Sequence, residues 1–159
     1  MISTKEKKIT APSKRKYKHF DFPYGLLGFE EQKKFYIIKH LQNDLFFFLQ
    51  SSIDKDISFI LTRGDFFFSK LVKKKSYNLK KNEELFHIVT ISNEREFSVN
   101  LLGPLLIDTK KHTGIQIVSE NKEHMTKHFL TKKQIKNIEK KGKNAVQCFN
   151  QSDFIVIDD

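Results

Sequence analysis

The feature that most constrains the fold is an apolar run with a proline inside it. Residues 100–109 read Asn-Leu-Leu-Gly-Pro-Leu-Leu-Ile-Asp-Thr, and an apolar run without polar alternation is typical of a strand buried on both faces. Pro104 has no N–H to donate to a neighbouring strand, and Gly103 permits backbone angles that other residues avoid. The run therefore predicts two short strands, 97–102 and 105–108, separated by a bulge or corner that curves the sheet. Backbone groups left unpaired at this bend could bind a partner.

Short runs rich in β-branched and aromatic residues recur along the chain, separated by turn signals. They are residues 35–38, 45–50, 57–62, 85–91 and 115–118. The run 45–50 is expected to be buried on both faces, and a turn over residues 110–114 ends in Gly114. Strands at intervals of about ten residues predict an all-β fold, here a small antiparallel barrel-like domain with a short C-terminal helix and tail.

Composition divides the chain into three parts. Residues 1–16 are rich in Lys and Ser, poor in apolar residues, and expected to form a disordered basic leader. Residues 17–130 are expected to form the β domain. Residues 131–159 are expected to be an extension with a short helix and a possible strand, the helix capped by Thr131, with Ile135 and Ile138 on one face and Gly142 as its stop.

The net charge of +10 is concentrated in the leader. Residues 1–18 contain seven Lys and Arg and one Glu, whereas residues 19–129 contain 16 basic and 14 acidic residues. A nearly neutral body argues against a broad nucleic-acid surface, and the scarcity of Ala, Gly and Pro is typical of AT-rich coding DNA. The single Cys148 excludes an internal disulfide, and no window approaches the ~20 apolar residues of a membrane helix. A cytoplasmic protein is expected.

No catalytic or metal-binding motif is found. The neighbouring carboxylates Glu83 and Glu84 would point to opposite faces of a strand, so they do not form an acid/base pair. His124 and His128 are four residues apart, but no third ligand stands at a telling distance, and they are expected to be exposed. His87 is expected to be a hydrogen-bonded or exposed strand residue. We therefore predict no enzymatic activity, no metal and no cofactor.

The Phe triplets 46–48 and 66–68 leave two functions open. Outward-facing aromatic side chains with Lys between them could stack on single-stranded RNA. The first triplet is flanked by Leu, which favours core packing, whereas Phe66 follows Arg63-Gly64-Asp65 and is less clearly buried. A small basic barrel that binds RNA directly is thus the alternative function.

Three sequence blocks in a defined order carry a further signal. They are Phe-Pro-Tyr-Gly-Leu-Leu-Gly-Phe-Glu at 22–30, Phe-Leu-Gln-Ser at 48–51 followed by Ile-Ser-Phe at 57–59, and the opening run at 100–109 followed by Gln-Ile-Val at 116–118. Together they resemble the flagellar assembly factor FliW family over roughly residues 17–130.

The resemblance implies a small all-β, barrel-like cytoplasmic domain without catalytic activity. It implies two partners, flagellin and the RNA-binding carbon storage regulator CsrA. In that family, secretion of flagellin frees the protein to antagonise CsrA away from its RNA face, which relieves repression of flagellin translation. Such a switch requires that occupancy by one partner be coupled to occupancy by the other.

The chain departs from the pattern of that family at three positions. Leu27 stands where the family usually has Pro, Gly103 replaces Ala, and Asp108 replaces Asn. Its body is slightly basic whereas members are commonly acidic, which bears on any contact that needs negative charge towards basic CsrA.

The predicted partner-binding surface is the sheet edge with the two loops that contain Gly and Pro. The residues predicted to contact a partner or to shape these loops are Phe29, Glu30, Gln50, Asn100, Leu101, Pro104 and Asp108. For Phe29, Leu101 and Pro104 the alternative is that they only build the corner and the core. For Asn100 the alternative is a hydrogen bond within its own loop.

Overall fold

The computed structural model describes residues 18–40, 45–94, 96–141 and 155–157, so the predicted leader lies outside the described residues. A one-turn helix α1 (Gly64–Phe67), a 3₁₀ helix (Lys74–Tyr77) and the C-terminal helix α2 (Lys132–Lys141) accompany the strands. The strands are β1 Phe20–Asp21, β2 Lys34–His40, β3 Phe46–Ser51, β4 Ser58–Thr62, β5 Glu83–Ile91, β6 Phe97–Val99, β7 Leu105–Asp108, β8 Thr113–Gln116, β9 His128–Phe129 and β10 Ile155–Ile157. Within the described part of the chain, no helix is long and apolar enough to cross a bilayer.

Most of the strands form a ring. The neighbours run in the order β4-β3-β2-β1-β8-β7-β5, and β4 also pairs with β5, which closes the ring. Pairing is antiparallel except between β1 and β8 and between β10 and β2. The prediction of an all-β domain with a short C-terminal helix is confirmed.

The long strand β5 explains the proline inside the apolar run. Its first half pairs with β7 and its second half with β6, so both segments lie along one side of the same strand. Val99 lies opposite Val89 and Leu105 lies opposite Phe86. The six residue steps from Val99 to Leu105 therefore span the length of only three residue steps of β5, so the segment between β6 and β7 bulges out of the ladder. The predicted corner before Pro104 is confirmed, although the first strand ends at Val99 and not at residue 102.

Phenylalanine and aliphatic side chains fill the interior of the ring. Phe47 and Leu49 of β3 are 0% exposed, and burial of a Phe or Leu side chain stabilises the fold by roughly 1.5–3 kcal/mol. Phe46 and Phe48 alternate with them and are only half-buried, so the prediction that this run is buried on both faces is wrong. The inner cluster comprises Phe20, Phe22, Leu26, Phe35, Ile37, Phe47, Leu49, Leu61, Phe86, Leu105 and Ile107.

A second apolar cluster covers the outer face of β5. Leu85 and Val89 pack there under the segment that contains α1 and the 3₁₀ helix, and Ile135 of α2 joins them. Helix α2 begins with the predicted cap, because Thr131 Oγ1 accepts a hydrogen bond from Gln134 N at 3.2 Å while Gln134 Oε1 accepts one from Thr131 N at 2.8 Å.

Gly114 has a different role from the predicted one. The turn after β7 ends before Thr113, and His112 holds the left-handed position with φ of 55°. Gly114 lies inside β8, where a Cβ would overlap the ring of Phe22, with Cε1 only 2.7 Å away. The glycine is therefore needed for core packing and not for the turn.

Candidate partner-binding surface

The β1–β2 loop (residues 22–33) is a compact hairpin. Leu26 N and Phe29 N exchange hydrogen bonds with the opposite carbonyls at 3.4 and 2.7 Å, so Leu27 and Gly28 form a two-residue turn. Gly25 has φ of +63°, and a Cβ there would lie 2.6 Å from the backbone of Glu30. The loop is anchored by Leu26, which is buried in the ring.

Glu30 stabilises the tip of this hairpin. Its Oε1 accepts a hydrogen bond from Gly28 N at 3.0 Å. This bond holds the pKa of the Glu30 carboxyl below its ordinary value, because it favours the ionised form. The residue type is thus explained by the loop, and its exposed carboxylate still contributes negative charge to the surface.

The backbone N–H groups of the corner (residues 100–104) are all hydrogen-bonded. Asn100 Oδ1 accepts a hydrogen bond from Gly103 N at 2.9 Å, while Leu101 N and Leu102 N donate to Met125 O at 3.0 and 3.2 Å. Asn100 N donates into the β5 ladder and proline has no N–H. The expectation that the bend leaves unpaired backbone groups for a partner is therefore wrong for its N–H groups, which are all paired.

Two of the predicted corner residues are buried. Leu101 is 0% exposed and belongs to the second apolar cluster, on the outer face of β5, and Pro104 is also buried. Pro104 O accepts a hydrogen bond from Ile117 N at 2.9 Å, and Leu102 O accepts one from Ser119 N at 2.7 Å. Residues 116–119 therefore run beside the corner as a continuation of β8.

Gln116 connects the corner to the β1–β2 loop. Its Oε1 accepts a hydrogen bond from Leu27 N at 2.8 Å, and its Nε2 donates to Gly103 O at 3.0 Å. A proline at position 27, as the family usually has, would have no N–H for this bond. Leu27 in place of that proline therefore allows Gln116 to connect the two segments. Gln116 was absent from the predicted contact residues, and only its place in the third block pointed to it.

The β3–β4 turn (residues 52–57) adjoins the same loop. Gln50 Nε2 lies 3.1–3.2 Å from the carbonyl oxygens of Ser51, Asp54 and Ile57, and so holds the turn closed. Ser51 Oγ donates to Gln32 Oε1 at 2.5 Å, which ties the turn to the β1–β2 loop.

One end of the ring therefore carries a continuous surface, which we call the apical surface: residues 23–31, 52–57, 100–104 and 116–119. Phe29 links the first two parts, because its ring packs edge-on against Phe59 of β4, two residues after the β3–β4 turn, with centroids 5.0 Å apart. The structure brings six of the seven predicted residues to this end: Phe29, Glu30, Gln50, Asn100, Leu101 and Pro104. Asp108 lies at the other end of β7, where its Oδ1 accepts hydrogen bonds from Lys110 N and Lys111 N.

The apical surface presents several exposed apolar side chains, of which only Phe29 was predicted from the sequence. Tyr24, Leu27 and Ile53 are 72%, 65% and 78% exposed, and Phe29 is 40% exposed. Val118 beside the corner is exposed as well. Their positions in turns gave no sign of clustering, because only the folded ring brings the loops together.

The three histidines considered from the sequence are structural. His87 is fully buried, its Nδ1 accepts a hydrogen bond from Gly64 N at 3.1 Å, and burial lowers its pKa to about 3. His124 and His128 are 6% and 9% exposed, so the prediction that they are exposed is wrong. His124 Nε2 donates to Leu71 O at 2.7 Å, and His128 Nε2 accepts from Met125 N at 2.8 Å. No three His, Cys, Asp or Glu side chains among the described residues are placed to hold a metal ion.

Comparison with known proteins decides the family. Residues 2–130 match the family model described as FliW protein. The chain belongs to the FliW family. The flagellar assembly factor FliW of Borreliella burgdorferi is 33% identical over 123 residues, which cover 71% of this chain and 93% of that protein. The flagellar assembly factor FliW of Heliobacterium modesticaldum is 32% identical over 118 residues, or 69% of this chain and 77% of that protein.

The fold agrees with this assignment. A crystal structure of the flagellar assembly factor FliW is similar with a TM-score of 0.60 at 24% identity, covering 72% of this chain and 86% of the other. The resemblance predicted from the three blocks is confirmed. The family match ends at Leu130, so α2 and β10 lie outside it.

Proposed function

We propose that this FliW-family chain is a non-catalytic cytoplasmic regulator that binds flagellin and, once flagellin has been secreted, binds CsrA. Binding of CsrA would relieve repression of flagellin synthesis. The family assignment supports a role in flagellar assembly, and the two partners follow from the resemblance. Exchange between them requires coupled occupancy, which one shared surface provides by mutual exclusion.

The observation that carries the proposal is the apolar content of the apical surface. Exposed apolar side chains are ordinary when scattered, but contiguous ones mark sites of protein interaction. Tyr24, Leu27, Phe29 and Ile53 lie on two adjoining loops that are held by internal hydrogen bonds. Loops fixed in this way lose little conformational entropy on binding, which favours affinity.

Charge on the same loops supports CsrA as the second partner. Residues 22–33 and 52–57 contain Glu30, Glu31, Asp54 and Asp56 but only Lys33 and Lys55. The loops are therefore net acidic although the body of the chain is slightly basic. Complementary charge speeds association with a basic partner and makes it sensitive to salt.

Direct RNA binding has less support. Phe47 is buried inside the ring, and Phe46 packs between Phe67 and Phe97 with ring centroids 6.4 Å apart in each pair. Phe66 is 37% exposed, but its ring is covered on one face by Arg63, whose guanidinium carbon lies 5.3 Å from the ring centroid. Neither triplet offers a row of free aromatic faces for bases to stack on.

The test is a titration of the full chain with purified flagellin and with purified CsrA by calorimetry. Leu27→Asp places a charge on an exposed apolar residue of the apical surface, and we expect it to weaken flagellin binding at least tenfold. Phe129→Asp is the matched control, because Phe129 is 54% exposed but lies on β9. Flagellin added to a complex with CsrA should displace it.

Two results would overturn the proposal. One is the absence of binding to either protein at micromolar concentrations. The other is binding of labelled RNA whose affinity falls steeply between two salt concentrations, which is the mark of phosphate contacts. Equal weakening by Leu27→Asp and Phe129→Asp would leave the partners in place but remove the apical surface as their site.

A further inference from the structure

The outer edge of β2 is the starting point. On one side, β2 pairs with β3 from Phe35 to Lys39. On the other side, β1 pairs only with Lys34 and Phe35, because β1 is two residues long. Among the described residues, no strand of the ring pairs with this side of β2 from Tyr36 onwards. Such an edge presents a row of N–H and C=O groups that accept an added strand.

The chain fills this edge with its own C-terminal strand. β10 runs parallel to β2, with Ile155 opposite Ile38, Val156 opposite Lys39 and Ile157 opposite His40. All three β10 residues are β-branched, the class that favours strands. Among the described residues β10 pairs with no other strand, and it lies outside the region that matches the family.

Burial at the edge agrees with this placement. Ile38, which lies opposite Ile155 in the register of β2 and β10, is 1% exposed. Removal of β10 would expose the backbone groups of β2 that face it.

We propose that the edge of β2 at Ile38–His40 is a strand-addition site for an extended, β-branched apolar segment of a partner protein, and that β10 is the internal competitor for it. Strand addition takes its affinity from main-chain hydrogen bonds and its selectivity from alternate side chains. The described part of β10 has three paired residues, and an internal contact of that length is short enough to be exchanged for a longer segment. The inference concerns a surface other than the apical one and does not depend on the identity of the flagellar partners.

Tethering sets the size of the effect. The segment between α2 and β10 spans residues 142–154. A strand joined to its site through a connection of roughly 13 residues faces that site at an effective concentration on the order of 1 mM. If a free peptide binds the open edge with a Kd of about 100 µM, the tethered strand weakens its apparent binding about tenfold.

The test uses the full chain with the substitution Val156→Pro, which removes an N–H and bends the strand away from ladder geometry. Val156→Thr is the matched control, because threonine keeps the β-branched shape. The probe is a fluorescein-labelled peptide of residues 152–159, followed by fluorescence anisotropy. We expect Val156→Pro to bind it about ten times more tightly than the wild type and Val156→Thr.

Hydrogen exchange provides a second readout that needs no ligand. The amides of residues 38–40 that point away from β3 should exchange faster in Val156→Pro. Those of β3 and β5 should stay unchanged, which also shows that the variant is folded. Equal peptide affinity for all three chains, or no binding to Val156→Pro, overturns the proposal. Unchanged exchange in β2 overturns it independently.

Discussion

Replacement of Gly114 by alanine tests how the core of the ring is built. The added Cβ would overlap the ring of Phe22, which is 0% exposed and packs edge-on against Phe35 with centroids 5.2 Å apart. The ring has no solvent to move into, so it must displace other core side chains. Overpacking of this kind costs roughly 1–3 kcal/mol, and the lower backbone entropy of alanine returns roughly 0.5–1 kcal/mol. We expect Gly114→Ala to lower the free energy of unfolding by about 1 kcal/mol.

Urea unfolding monitored by circular dichroism measures this loss. The comparison is Gly28→Ala, where nothing lies within 4 Å of the added Cβ and only the φ of +83° opposes it. Strain alone should cost roughly 1–2 kcal/mol there. A second substitution separates the two causes, because Phe22→Leu makes room at Gly114 and not at Gly28.

The double variant gives the decisive result. If the ring contact causes the loss, Gly114→Ala should cost at least about 1 kcal/mol less in a Phe22→Leu background than in the wild type. Additive effects of the two substitutions would refute the packing argument. Unchanged stability of Gly114→Ala alone would refute it as well.

Two further predictions concern Gln116 and His87. Gln116→Ala removes the hydrogen bonds to Leu27 N and Gly103 O and should cost about 1–2 kcal/mol in urea unfolding. The double variant Gln116→Ala, Leu27→Pro should lose clearly less stability than the sum of the losses in the two single variants, because both remove the same hydrogen bond. Full additivity would contradict the bridge. The pKa of His87, about 3 when folded against 6.5 when unfolded, means that the unfolded chain binds more protons between these values. Below pH 6.5, protonation of His87 in the unfolded chain should therefore lower the free energy of unfolding by about 1.4 kcal/mol per pH unit. In His87→Gln this contribution should be missing when urea unfolding is compared at pH 7 and pH 5. An equal loss of stability in the wild type and the variant would contradict this assignment.

Much of the architecture follows from local patterns. The β-branched and aromatic runs predicted the principal strands of the ring, since side-chain type and turn residues act within a few positions. Pro104 marked the corner correctly, because a residue without an N–H cannot continue the ladder. Thr131 marked the start of α2 for a similarly local reason. The division of the chain at residues 16 and 130 and the partner-contact residues stay predictions.

The site depended more on distant contacts. Glu30, Gln50 and Asn100 were selected as candidates from sequence blocks, and the structure shows each one holding its own loop by a hydrogen bond. The exposed Leu27 and the bridging Gln116 were missed. They are 89 positions apart in the chain, and no local pattern relates residues at that separation.

The sequence by itself determined that this protein is a β domain, where its strand run is broken, and which family it belongs to. These properties depend on residue type and spacing along the chain. Only the tertiary structure decided that Gly114 makes room for Phe22, that Gln116 joins two loops, and that the C-terminal strand lies on the edge of β2. Each of these is a contact between segments far apart in sequence, and closure of the ring is what brings such segments together.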